Sequence, residues 1–198
     1  SGALYAAPMP VVASSSILGD VAQQIGGERV AVQSLVGANQ AAHAYNLTSS
    51  DIKKIREARL VLLNGLGLEK AELQRAVKQS KVASAEATAG IKPLAADEHH
   101  HEHNHGHDHD HGEFDPHVWN DPVLMQRYAA NVAIALIKAD PAGSRYYQQR
   151  FKDYQNVLNQ LNNYANQQFG AVAPAKRKVL TGHDSFAYLG KRYQVKFI

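Results

Sequence analysis

Short β-branched runs alternate with helical patterns along most of the chain, which predicts βα units around a mainly parallel sheet. Residues 11–14 read as a first strand, and residues 17–25 as a helix ended by Gly26 and Gly27. Residues 30–36 form the next strand. Ser49 or Ser50 is then placed to cap a helix over 51–58, with Ile52 and Ile55 on one face. The run 60–63 is apolar throughout, as a strand covered on both faces should be. A helix over 69–79, with Leu73 and Val77 four apart, and a strand over 81–85 complete this alternation.

The second half is more helical. Asp121 before Pro122 sets an N-cap ahead of a proline at the first helical position, and the apolar spacing carries that helix to about Ala139. Residues 142–169 hold no proline and place Tyr147, Phe151, Tyr154, Leu158, Leu161 and Ala165 at threes and fours. A helix of that length, ~42 Å at 1.5 Å per residue, is longer than one small lobe needs. A strand over 179–181, a helix over 185–193 and the start of a strand at 195–198 follow. A parallel strand without its crossover predicts an incomplete second lobe.

Composition changes this picture at one place. The chain has eleven histidines and no cysteine, so metal chemistry here must use imidazole and carboxylate. Eight of the histidines, His99, His100, His101, His103, His105, His107, His109 and His111, sit in one tract with almost nothing that packs. Such a tract cannot offset its ordering entropy, and it reads as a disordered loop over 95–113. Residues 97–115 also hold seven of the 18 acids and no Lys or Arg, so the rest of the chain carries 21 basic against 11 acidic residues. The basic residues are scattered along helices, with 176–178 the only tight cluster, which argues against nucleic acid. No apolar run approaches the ~20 residues of a membrane span. The opening residues, SGALYAAP, look like a processed end, and an exported protein is the compartment expectation.

The other three histidines, His43, His117 and His183, each fall on a loop that precedes a helix: AAHAYNLTSSD, DPHVWNDP and TGHDSFAYL. Ligands gather at the carboxyl ends of parallel strands, so three such loops can converge on one site, although their separation is too long for a local zinc motif. A lone loop histidine more often bonds locally, and that alternative stands on spacing alone. Asp115 and Asp184 are carboxylates of the kind that orient a ligating imidazole, while Asp121 and Asp184 have a rival use as helix caps. Trp119 reads as core packing rather than a binding platform.

The segments GANQAAHAYNLTSSD and NGLGLEKAEL, the acidic His-rich insert leading into DPHVWNDP, and TGHDSFAYLGKRYQV, in that order, resemble the zinc-binding proteins of bacterial ABC transporters of the ZnuA type, within the cluster A-I (TroA-like) solute-binding family. The resemblance covers essentially the whole chain. It implies two parallel-sheet α/β lobes joined by one long rigid helix: an N-terminal lobe over 1–140, a backbone helix over 141–171, and the start of a truncated C-terminal lobe over 172–198. It also implies that His43, His117 and His183 are zinc ligands, with the fourth position taken by a carboxylate beyond Ile198 or by water. Ala41 and Ala42 stand where the family commonly has an acidic residue, so no carboxylate ligand comes from that loop. Manganese-binding relatives place Glu where His183 stands, and three imidazoles favour zinc by softness as well.

The expected activity is therefore periplasmic Zn²⁺ capture by a monomer and delivery to a membrane ABC permease, without a chemical step. The His-rich tract is either a solvated loop or a low-affinity zinc reservoir. Rival readings are a hydrolase in which a His₃ zinc site activates water, and a zinc-binding adhesin or buffer.

Overall fold

The computed structural model describes residues 7–35, 45–96, 113–182 and 184–198. Within them the elements run β1 (Met9–Ala13), α1 (Ser16–Gly26), β2 (Val30–Ser34), α2 (Ser49–Glu57), β3 (Leu60–Leu63), α3 (Ala71–Ser80), β4 (Ala83–Glu86), α4 (Pro122–Ala139), α5 (Ser144–Gly170), β5 (Lys178–Val179), α6 (Ala187–Tyr193) and β6 (Lys196–Phe197). The first four strands form one parallel sheet in the order β2-β1-β3-β4. Strands β5 and β6 pair in parallel as a second, two-stranded sheet.

Alternation along the strands divides the core into two layers. Val11 and Ala13 of β1 and Leu60 and Leu62 of β3 face one side, where Leu18, Val21 and Ile25 of α1 and Tyr128, Val132 and Leu136 of α4 pack with Tyr147 and Leu158 of α5. Val12, Val61 and Leu63 face the other, against Ile55 of α2 and Leu73 and Val77 of α3. All four residues of β3 are buried, because helices cover both of its faces.

Several boundaries differ from the sequence expectation for identifiable reasons. The cap of α2 is Thr48, not Ser49 or Ser50. Asp51 returns a hydrogen bond to the Thr48 N–H at 3.0 Å while its own N–H donates to the Thr48 hydroxyl at 3.2 Å, so the reciprocal box outcompetes a lone serine. Burial raises the Asp51 pKa, but bonds from Tyr45 and Thr48 outweigh it and hold the carboxyl below its ordinary value. Helix α3 starts at Ala71 rather than at Glu69, whose side chain turns inward. Helix α6 starts at Ala187 without a side-chain cap, so Asp184 is not its capping residue. The strands at 30–36, 81–85, 179–181 and 195–198 are each shifted or shortened to the spans above.

The Asp121–Pro122 start of α4 and its end at Ala139 stand as the sequence predicts, with the Asp121 carboxylate accepting from Val123 N–H at 2.8 Å. The long helix also forms, over 27 residues, after a 3₁₀ turn at Pro141–Gly143. Its start is pinned by Asp140. That carboxylate takes a two-pronged bond from Arg29 at 2.8 and 3.0 Å and a third bond from the Tyr147 hydroxyl. The Arg29 contact keeps the Asp140 pKa below its ordinary value, and burial together with Asp140 pushes the Tyr147 phenol to about 12.

Candidate metal centre

His117 lies on the loop between an antiparallel bridge, Ala95 to Phe114, and the 3₁₀ turn Val118–Asn120 that leads into α4. Its side chain is 22% exposed, so it is partly buried yet open to solvent. Two bonds to one Asp115 oxygen fix it: the His117 backbone N–H donates at 2.9 Å, and Nδ1 lies 2.7 Å away. A carboxylate only accepts, so Nδ1 carries a proton, and in the neutral imidazole Nε2 then keeps its lone pair. This is the state in which a histidine binds a divalent metal, with the acid raising its basicity. Trp119 packs edge-on against the ring, at 5.1 Å and 75°. It is half-buried against the core, so it has both the packing role expected of it and a contact with the candidate ligand.

Beneath the loop lies a buried polar network that the sequence reading missed. The Glu69 carboxylate, 5% exposed, accepts from the Ser14 hydroxyl at 2.8 Å, Asn64 N–H at 2.8 Å and Gly65 N–H at 2.9 Å. It thereby joins the carboxyl ends of β1 and β3. Gly65 has φ +87°, and a Cβ there would stand 2.6 Å from the Thr88 hydroxyl and 2.8 Å from a Glu86 carboxylate oxygen, so glycine is required. Asn64, wholly buried, uses its amide N–H to hold the carbonyl of Pro116 at 3.1 Å, one residue before His117. Its side-chain oxygen accepts from Tyr128 at 3.1 Å. The signal available in the sequence was the segment NGLGLE directly after an apolar strand. Its glutamate falls within a helical pattern, which hid it.

On the opposite side, the C-terminal segment contacts the same loop at three points. The Tyr188 hydroxyl donates to the Asp115 carbonyl, Asn120 donates to the Ser185 carbonyl at 2.7 Å, and Arg192 pairs with Asp121 at 2.9 Å. The segment 185–192 is therefore tied to the loop bearing His117. His43, His183 and all eight histidines of the tract lie outside the described residues. Among the described residues no three His, Asp or Glu side chains gather as a metal site.

Comparison with known proteins adds an independent line. The family described as ZnuA, zinc-uptake complex component A, periplasmic, matches residues 11–198. The manganese ABC transporter substrate-binding lipoprotein PsaA of Streptococcus anginosus is 30% identical over 187 residues, covering 94% of this chain and 60% of that protein. The chain thus spans about 60% of the length of the curated relatives it matches. Among solved structures, the periplasmic zinc-binding protein TroA from Treponema pallidum superposes with a TM-score of 0.84 at 26% identity, over 98% of this chain and 66% of that one. The Mn-bound periplasmic metal-binding protein from Candidatus Liberibacter asiaticus does so at 0.82 and 29%, over 94% and 66%. The parallel-sheet α/β architecture with one long helix is therefore the TroA-like fold.

Proposed function

Since the chain belongs to the family of periplasmic zinc-uptake component A proteins, we propose that it is the metal-binding part of an ABC-transporter solute-binding protein, capturing Zn²⁺ in the periplasm and handing it to a membrane permease. The observation that carries this reading is His117, held by Asp115 through its backbone N–H and Nδ1, which in the neutral ring leaves Nε2 as the lone-pair donor. Capture and release need no general base or nucleophile, so the protein acts as a carrier and not as an enzyme. It works as a monomer, with a lobe over 1–140, a connecting helix over 141–171 and the beginning of a second lobe over 172–198.

In this proposal His43, His117 and His183 ligate the ion, and solvent or a carboxylate supplies the fourth position. Zinc is favoured over manganese because three imidazoles are borderline-soft donors, whereas manganese prefers carboxylate oxygen. The relatives are named for manganese, zinc or metal in general, so the metal is the finer point that experiment must decide. The tract from His99 to His111 acts as an accessory collector of lower affinity, since ordering a polar segment subtracts from binding.

Chelator-competition titration of zinc and manganese against wild type and each of His43→Ala, His117→Ala and His183→Ala tests the assignment. Each substitution is expected to weaken zinc by about a hundredfold or more, because a structural tetrahedral site loses a quarter of its donors. Zinc affinity should also fall from pH ~7.5 to ~5.5, since an imidazole must be neutral to ligate. Tighter manganese than zinc binding would reassign the cargo. Sustained zinc-dependent hydrolysis of esters, abolished by His117→Ala, would replace the carrier reading with an enzyme.

A further inference from the structure

The Tyr188 hydroxyl joins helix α6 to the base of the loop that carries His117. Tyr188 is 3% exposed, and a phenol that deeply buried must find partners for its O–H. Both partners belong to the base of the His117 loop: Leu94 N–H donates to the Tyr188 oxygen at 3.0 Å, and the hydroxyl donates to the Asp115 carbonyl. Asp115 N–H in turn donates to the Leu94 carbonyl at 2.8 Å. The Asp115 main chain is thus held at both its polar groups, and its carboxylate contacts His117 at two points.

We propose that Tyr188 is a positioning residue for the His117 ligand: its hydroxyl holds the Asp115 backbone, so that the Asp115 carboxylate keeps His117 in the Nδ1–H tautomer ready to bind metal. The proposal rests on the reading of His117 as a ligand. It also gives the C-terminal segment a part in building the His117 side of the site. The bond from Asn120 to Ser185 and the Arg192–Asp121 pair hold the same two segments together, so the tyrosine acts within a docked surface. Tyr193, on the same helix and 4% exposed, is the natural control, because its hydroxyl goes to Asn162 on α5 at 2.9 Å and not to the loop.

The test compares Tyr188→Phe and Tyr193→Phe in the full chain, reading the zinc dissociation constant and the long-range ¹H–¹⁵N spectrum of His117 without metal. Tyr188→Phe is expected to weaken zinc about tenfold, the scale of lost outer-shell support, and to turn a single Nδ1–H tautomer into a mixture. Tyr193→Phe should change neither. A merely structural role for Tyr188 would lower the melting temperature while leaving both readouts at wild-type values, and that result overturns the proposal. Should Tyr188→Phe fail to fold, Tyr188→Met keeps apolar bulk without the hydroxyl and is judged by the same two readouts. His117→Ala separates the two levels. If it leaves tight zinc binding intact, the ligand assignment itself fails; if it abolishes binding while Tyr188→Phe changes nothing, only the positioning role fails.

Discussion

The His117 loop is held from two sides that differ in kind. On the sheet side, Glu69, Asn64 and Thr88 are all at or below 5% exposure, and they bond main-chain groups of the turn after β3. On the C-terminal side the contacts are mixed: the Tyr188 bond is buried, whereas the Arg192 side chain is 38% exposed in its pair with Asp121 at the rim. The same bond type therefore has different consequences. Inside the lobe, removing one partner strands a desolvated group, whereas at the rim water replaces what is lost. The sheet side supports stability, and the C-terminal side aligns the loop.

That contrast can be broken first at Glu69. Glu69→Ala should cost about 3 kcal/mol, since three buried donors lose their acceptor together. Urea unfolding measures it, and a loss under about 1 kcal/mol would mean that water enters the network freely. Asp121 belongs to both sides, being the cap of α4 and the partner of Arg192. Asp121→Ala should cost about 2 kcal/mol by the same assay, most of it the cap.

The Asp140 cluster touches neither side of the loop and serves as a calibration. Asp140→Asn should cost about 1 kcal/mol near neutral pH, since one amide still accepts from part of the cluster. Because Arg29 holds the native Asp140 carboxyl below its unfolded pKa, its contribution is complete above the unfolded value and disappears as pH falls through the depressed one. The stability gap between wild type and Asp140→Asn should accordingly close in acid. Arg192→Ala is the smallest change, about 0.5 kcal/mol or less and further reduced by salt. If it matched Glu69→Ala, the two sides would not differ.

The helices show what was legible in advance and what was not. For α4, Asp121, Pro122 and the apolar spacing all lie within a few residues of one another, and the start was readable. For α2, the sequence reading named Ser49 or Ser50, whereas the reciprocal Thr48–Asp51 bonds set the cap at Thr48, with the Tyr45 hydroxyl also donating to Asp51 at 2.6 Å. On α5 the apolar spacing was correctly read as helix, yet the same spacing did not say which positions are covered. Tyr147 and Leu158 are buried, while Leu161 and Tyr164 are 49% and 61% exposed.

Of the candidate site, the pairing of Asp115 with His117 was legible because the two are separated by two positions and a short loop brings them together. Glu69 was not, because an acid with three buried donors looks the same in a sequence as one at a solvated helix start.

From the sequence alone came the alternation of strands and helices, the parallel sheet, the long helix, the cysteine-free metal chemistry and the three isolated histidines. These are short-range or compositional facts, carried by residues within a few positions of each other. The tertiary structure decided which carboxylate is buried, which carbonyl Asn64 holds and where the Tyr188 hydroxyl goes. Those choices join residues 55, 52 and 73 positions apart. A bond of that range exists only once the sheet and helices have brought its ends together, so no local pattern encodes it.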